Sequence, residues 1–161
     1  MHLYRICPEL YLDNFSGLGG SYRDGARWNS PGYPVLYFAL SASTALLEMA
    51  NYIPSPRLVP PSYRLGVYQL PKSVSVIELS AADLPTDWAV FPHPRSTREL
   101  GDRWLNARHS LLLLVPSTAV PEGLDKIAVF NPRHPESATL QLVRSISELY
   151  NERTFRGLHT Q

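Results

Sequence analysis

The stretch Gly25-Ala26-Arg27-Trp28-Asn29-Ser30-Pro31-Gly32, then Tyr33 and Pro34-Val35-Leu36-Tyr37-Phe38-Ala39-Leu40, then Ser41-Ala42-Ser43-Thr44-Ala45-Leu46-Leu47-Glu48-Met49-Ala50-Asn51-Tyr52, decides the fold. It reads as a polar turn, a short strand and a capped helix. Pro34 to Leu40 is apolar, aromatic and β-branched, which suits a strand buried on both faces; periodicity alone leaves a buried helix segment open. Pro34 fits the first residue of a strand, where no ladder donor is needed. Ser41 or Ser43 offers an N-cap hydroxyl. Ala42, Ala45, Leu46, Met49, Ala50 and Ile53 share one stripe at helical spacing, and Pro54 stops the helix at or before Ile53. At roughly 100° per residue, Glu48 falls on the flank of that stripe, beside Thr44 and Tyr52. Three consecutive elements thus carry Arg27, Tyr37 and Glu48, which can meet in one ligand site.

Outward from this stretch the chain breaks into short elements. Leu3 to Ile6 suits a first strand carrying Arg5. Phe15 to Asp24 is a glycine- and serine-rich loop without the spacing of a dinucleotide or P-loop motif. Its glycines leave backbone amides able to approach a phosphate, and Arg23 and Arg27 flank its end. Asn51 to Tyr63 is a proline-rich connection. Arg64 to Leu70 and Ser73 to Leu79 read as strands joined by Pro71-Lys72. Ser96 to Asn106 is a helix capped by Ser96 or Thr97, with Leu100, Trp104 and Leu105 on its apolar side. Leu111 to Val115 and Ile127 to Phe130 are buried strands stopped by Pro116-Ser117 and Asn131-Pro132, and Leu140 to Ile146 is a last strand. The C-terminal tail, 146–161, is polar from Ser147 on, the make-up of a terminus that frays. The expectation is a single α+β domain over 1–161, with many short strands and about three helices.

Composition narrows the function. The 161 residues are 44% hydrophobic and 18% charged, an ordinary globular balance. A net charge of +1 gives no broad face for nucleic acid. The one cysteine, Cys7, excludes an internal disulfide framework and fits a reducing, cytoplasmic compartment. The start is polar within a few residues, unlike a signal segment. No run approaches the roughly 20 apolar residues of a membrane helix. Fifteen prolines argue against a helical bundle. His93, His109 and His134 lack metal-ligand spacing, so no metal site is expected; His134, between Arg133 and Pro135, suits a loop brace.

Several of these runs together resemble the RES domain. They are Gly25 to Gly32, Pro34-Val35-Leu36-Tyr37, Ser41 with Ala45-Leu46-Leu47-Glu48, Leu100-Gly101-Asp102-Arg103-Trp104-Leu105, Val115-Pro116-Ser117 and Asn131-Pro132-Arg133-His134-Pro135. They follow the family's order and span nearly the whole chain. RES domains are named for an arginine, a glutamate and a serine. The resemblance implies a toxin of a bacterial toxin–antitoxin pair, with a fold similar to ADP-ribosyltransferases, that destroys NAD. It implies a partner antitoxin with an Xre-like helix-turn-helix domain, so that DNA is contacted only through that partner. Homodimerisation is compatible with the sequence. By this resemblance the arginine is Arg27 and the glutamate Glu48. The serine is Ser117, with Ser110, at the start of the same strand, as the rival. Tyr37 matches the strand tyrosine and Arg5 the N-terminal Tyr-Arg. The chain departs from the family at Ala26, at Glu122-Gly123-Leu124-Asp125 and at Asn151-Glu152-Arg153.

The expected chemistry asks for such a set. NAD breaks between ribose and nicotinamide through an oxocarbenium-like state, which a carboxylate such as Glu48 can stabilise. The pyrophosphate calls for a planar, permanently charged donor, the role expected of Arg27 with help from Arg5. Tyr37 can stack on nicotinamide, and the serine hydroxyl can orient the ribose or the carboxamide. NAD is the substrate and no cofactor is required. Inorganic phosphate is a possible co-substrate, with Arg23 the candidate for its pocket. Two other functions fit the same residues: a protein ADP-ribosyltransferase, and a non-catalytic partner-binding module. Without the resemblance, Arg27 and Glu48 read as surface or ion-pair residues and Tyr37 as core.

Overall fold

The computed structural model of the chain describes residues 1–53, 55, 58–151, 153 and 154. Its centre is one mixed sheet of strands β1 (His2–Pro8), β2 (Leu36–Ala39), β3 (Tyr63–Gln69), β4 (Val76–Glu78), β5 (Leu112–Pro116), β6 (Lys126–Phe130) and β7 (Gln141–Ile146), in the order β4-β5-β6-β2-β1-β3-β7. Only β4 and β5 run parallel; every other neighbour pair is antiparallel. The helices are α1 (Gly20–Asp24), α2 (Ala42–Ala50) and α3 (Arg95–Ala107), with short 3-10 turns between strands. This is the expected α+β domain of short strands and few helices.

Side chains alternate across the sheet and build two cores. Leu3, Cys7, Leu36, Phe38, Tyr68, Leu112, Leu114, Ala128 and Phe130 pack on one face. The opposite face holds Tyr37, Val35, Leu113, Val115 and Val129 against Trp28, Trp104 and Leu105, and Ala39 and Leu65 against Ala45 of α2. Both helices that matter for function lie on this second face.

The helix after β2 forms as its sequence requires. Ser41 is the N-cap and its Oγ accepts from the Thr44 amide at 3.0 Å. Thr44, Ala45 and Met49 are its buried residues. The helix ends at Ala50, short of Pro54, which lies outside the described residues.

Two local expectations change. The glycine-rich loop contains α1, closed by Gly25 at φ +75, a conformation that favours glycine. Its Gly17 packs on the Val35 amide and Pro132 rather than opening toward a ligand. The two strands on either side of Pro71-Lys72 form as read, with β3 between β1 and β7 and β4 on the far edge beside β5. Pro94, not Ser96 or Thr97, is the N-cap of α3; Ser96 Oγ instead donates to Asp87 and Thr97 Oγ1 to the Pro94 carbonyl. His134 braces its loop as expected, its Nδ1 accepting from the Glu136 amide at 3.2 Å.

Candidate active site

Arg27 stands on a turn locked from three sides. Within the turn, the Ala26 amide donates to the Asn29 carbonyl at 2.9 Å. From below, the Asn29 side chain is fully buried; its Nδ2 donates to the Ser21 and Ser30 carbonyls, and its Oδ1 accepts from the Tyr37 hydroxyl at 2.7 Å. The same hydroxyl accepts from the Trp28 amide at 3.3 Å. From the side comes α3. Asp102 accepts from the Ser30 amide at 2.8 Å, and Arg98 Nε donates to the Ala26 carbonyl at 3.3 Å. Gly101 lies so close that a Cβ there would sit 1.8 Å from the Trp28 carbonyl oxygen. Residues 98, 101 and 102 share one helix face, so the Leu-Gly-Asp run is the surface that holds the arginine turn.

The Arg27 side chain is only 9% exposed. Its recorded hydrogen bonds all leave from Nη1, to the carbonyls of Trp88 and Val90. Among the described residues no carboxylate lies within 4.0 Å of it. Burial presses its pKa down from the ordinary arginine value, while the nearby Glu48, Tyr52 and Tyr37 act in the opposite direction. A guanidinium stays charged across this range. The result is an enclosed cation with donors to spare.

Glu48, on α2, lies within electrostatic reach of Arg27. Its Oε1 accepts from Ser117 Oγ at 2.6 Å, and Asn51 Nδ2 approaches Oε2 at 3.4 Å. Ser117 is fully buried just past β5; its amide donates to the Asp125 carbonyl and its Oγ also accepts from the Ala119 amide. A second tie runs alongside, from Thr44 Oγ1 to Asp125 Oδ2 at 2.9 Å. Asp125, in the stretch where the chain departs from the RES pattern, therefore helps anchor α2. Tyr52, one turn beyond Glu48, is 77% exposed, and its phenol interacts electrostatically with both Glu48 and Arg27.

Of the residues singled out in the sequence, the fold brings Arg27, Tyr37, Glu48 and Ser117 to one side of the sheet. The Tyr37 hydroxyl is committed to the arginine turn: burial raises its pKa strongly and both of its polar contacts go to that turn, while the residue as a whole is half-buried. Arg5, Arg23 and Ser110 lie elsewhere. Arg5 pairs with Gly66 in β1 and alternates onto the opposite face with Leu3 and Cys7, where its Nη1 is buried without a partner. Arg23 is 72% exposed on α1 and pairs with its neighbour Asp24 at 3.6 Å. Ser110 is buried in a structural role: it accepts from Trp104 Nε1 at 2.8 Å and donates to the Leu112 carbonyl.

Sequence reasoning missed Arg98 and His93. The signal for Arg98 was its spacing of three and four residues from Gly101 and Asp102. His93 follows the segment whose carbonyls hold Arg27. Among the described residues no group of three or more His, Cys, Asp or Glu could hold a metal ion, and no helix is long and apolar enough to cross a membrane.

Comparison with known proteins places the chain in a family. The RES domain family matches residues 2–150. A protein named Toxin Res from Yersinia enterocolitica is 34% identical over 154 residues, covering 95% of this chain and 99% of its own. A Toxin Res from Pseudomonas putida is 38% identical over 143 residues, covering 88% and 92%. A protein from Sphingobium sp. named Prs ADP-ribosylating toxin is 31% identical over 146 residues, covering 89% and 88%. In fold, the chain superposes on a chain of the crystal structure of the M. tuberculosis MbcT–MbcA toxin–antitoxin complex with a TM-score of 0.69, at 22% identity, covering 90% of this chain and 82% of that one. On its sequence relatives and over nearly its whole length, this chain belongs to the RES domain family.

Proposed function

We propose that this chain is the toxin of a bacterial toxin–antitoxin pair and that it consumes NAD by cleaving the bond between nicotinamide and ribose. One observation carries the reading. Arg27 is buried and has no carboxylate within 4.0 Å among the described residues, and it lies within electrostatic reach of a Glu48 whose carboxylate is aimed by a buried serine. An unpaired buried cation is costly unless an anion completes it. NAD offers both partners, an anionic pyrophosphate and a sugar carbon that turns cationic as its bond breaks.

In this reading Arg27 holds phosphate oxygens through the nitrogens its carbonyl contacts leave free. The ribose–nicotinamide bond breaks with its electron pair going to the nicotinamide nitrogen, which loses its positive charge. Glu48 stabilises the oxocarbenium-like carbon or holds a ribose hydroxyl. An oxygen of water or phosphate then bonds to that carbon and gives up its proton. The Ser117 proton already points at Glu48, so Ser117 is a positioning residue that acts through the carboxylate. Tyr52, more exposed than Tyr37, offers an accessible ring for a base to stack on.

The names of the Yersinia and Pseudomonas relatives and the origin of the structural neighbour support the toxin assignment. By the same reading an antitoxin, of Xre-like type as the family resemblance implies, covers the Arg27–Glu48 cleft and supplies any DNA contact. The activity belongs in the bacterial cytoplasm, where NAD is found. The name of the Sphingobium relative favours a second reading, transfer of ADP-ribose to a protein.

The test is incubation of the purified chain with NAD carrying a label on the adenylate, with and without phosphate, in the presence of cell extract. Free nicotinamide with the label in small molecules supports cleavage. Label on a protein supports transfer instead. No loss of NAD under any of these conditions overturns both.

A further inference from the structure

Two basic side chains, Arg98 of α3 and His93 of the loop before it, lie near Arg27. Arg98 belongs to the first turns of α3 and reaches the carbonyl of Ala26, the residue before Arg27, through Nε alone. Among the described residues no carboxylate lies within 4.0 Å of Arg98. His93 follows Val90, whose carbonyl accepts from Arg27, by three residues and precedes α3 by two. Its ring packs edge-on against Phe91 at 5.4 Å, and its Nδ1 is buried with no hydrogen-bond partner. Burial lowers the His93 pKa, and repulsion from Arg27 and then Arg98 lowers it further, so His93 lies within electrostatic reach of both arginines. The N-cap of α3, Pro94, supplies no side-chain acceptor to the helix start.

The acids nearby are engaged elsewhere. Asp102 accepts from the Ser30 amide, and Glu99 pairs with the exposed Arg95. Arg98 is thus brought beside the arginine turn with no acid to pair it among the described residues. Nothing in the packing of the turn requires it, since Asp102 and Gly101 already dock α3. An oxyanion placed there would accept from the guanidinium nitrogens that the carbonyl contacts leave free.

We propose that Arg98 and His93 extend the Arg27 site into a subsite for a phosphate-type oxyanion, displacing Arg23 from the role its sequence position suggested. The proposal rests on the NAD reading for what the oxyanion is attached to. It is either the pyrophosphate of the dinucleotide or free phosphate acting as acceptor. Arg98 and Arg27 donate to its oxygens, and His93, within electrostatic reach of both arginines, is the third group of the subsite and gains a proton more readily once the anion is present.

The experiment compares the parent with Arg98→Gln, Arg98→Lys, His93→Gln and Arg95→Gln. ADP and inorganic phosphate are titrated separately by calorimetry, and NAD turnover is measured with and without phosphate. Arg95→Gln removes an equal charge from the same helix at an exposed position and is expected to change nothing. If the subsite holds pyrophosphate, Arg98→Gln weakens ADP binding and raises KM for NAD, each by about tenfold, the effect of one charge-assisted hydrogen bond, with kcat little changed. If it holds free phosphate, KM for NAD stays at the parent value and the effect of added phosphate is lost. Arg98→Lys recovers part of either loss. Unchanged ADP and phosphate affinity in both Arg98→Gln and His93→Gln overturns the proposal, as does an equal loss in Arg95→Gln. Should the parent bind ADP or phosphate through Arg98 yet leave NAD intact, the subsite stands and the enzymatic reading fails. Thermal melting of each variant identifies any that does not fold, and the more conservative Arg98→Lys then carries the comparison.

Discussion

Gly101→Ala tests how the arginine turn is held. The added methyl carbon would sit 1.8 Å from the Trp28 carbonyl oxygen, and ordinary contact begins at 3.4 Å, so α3 and the turn must part by about 1.6 Å. Both sides of the clash are backbone, so no rotamer change relieves it. Two effects on stability oppose each other. Overpacking of this kind costs about 1–3 kcal/mol, while alanine is preferred to glycine inside a helix by about 1 kcal/mol. The net loss is therefore about 0–2 kcal/mol, or a fall in Tm of up to about 8 °C at this chain length. Function responds differently. A displacement near 1 Å of a positioning group costs on the order of 100-fold in rate, and here the moved group is Arg27 itself. The assay pairs nicotinamide release with thermal melting. The expected outcome is a folded protein with turnover down by about 100-fold or more. A Gly101→Ala protein that turns over NAD at the parent rate would refute the reasoning.

Further expectations follow from the same contacts. Ser117→Ala frees Glu48 Oε1 and is expected to lower kcat by about 10–100-fold, as for a misaligned catalytic group, with little change in NAD affinity by titration. Tyr37→Phe keeps the ring but strands the buried Asn29 Oδ1 and the Trp28 amide; it is expected to cost about 1–3 kcal/mol, seen as a fall in Tm, whereas a pure stacking role would leave Tm unchanged. Arg23→Ala is expected to leave NAD turnover and Tm at parent values, since its side chain meets only Asp24. His93 has a folded pKa below its ordinary 6.5. The unfolded chain therefore takes up the proton first as pH falls, and the His93 contribution to stability is intact above 6.5 and lost below it. His93→Gln is expected to flatten the decline of Tm with acidification below 6.5, and an identical pH profile in the two proteins would contradict this.

What the sequence made legible was local. The turn, strand and helix from Gly25 to Ala50 follow from residues a few places apart, such as Ser41 capping at Thr44, and they form as read. Glu48 and Ser117 are 69 residues apart and meet only through the sheet; the family resemblance named both residues, but their contact is visible only in the fold. The errors arise where register or topology decides. The position of Arg5 in β1 is an alternation of one residue, which sends it to the face opposite Glu48. The separation of β3 and β4, successive in the chain but far apart in the sheet, is likewise not written in the sequence. Tyr37 was recognised as a site residue while its partner was not: the Asn29 acceptor fixes its hydroxyl inside the turn, and no sequence pattern encodes that contact. Arg98 and His93 escaped notice because three elements must dock before their charges converge.

The central claim is that Arg27 holds the anionic part of NAD while Glu48 acts on the bond that breaks. Calorimetric titration of NAD, run beside nicotinamide release, on Glu48→Gln and Arg27→Gln tests that division directly. The account expects Glu48→Gln to bind NAD close to parent affinity and release no nicotinamide, and Arg27→Gln to lose binding. Nicotinamide release by Glu48→Gln at the parent rate, or undiminished NAD affinity in Arg27→Gln, would contradict it.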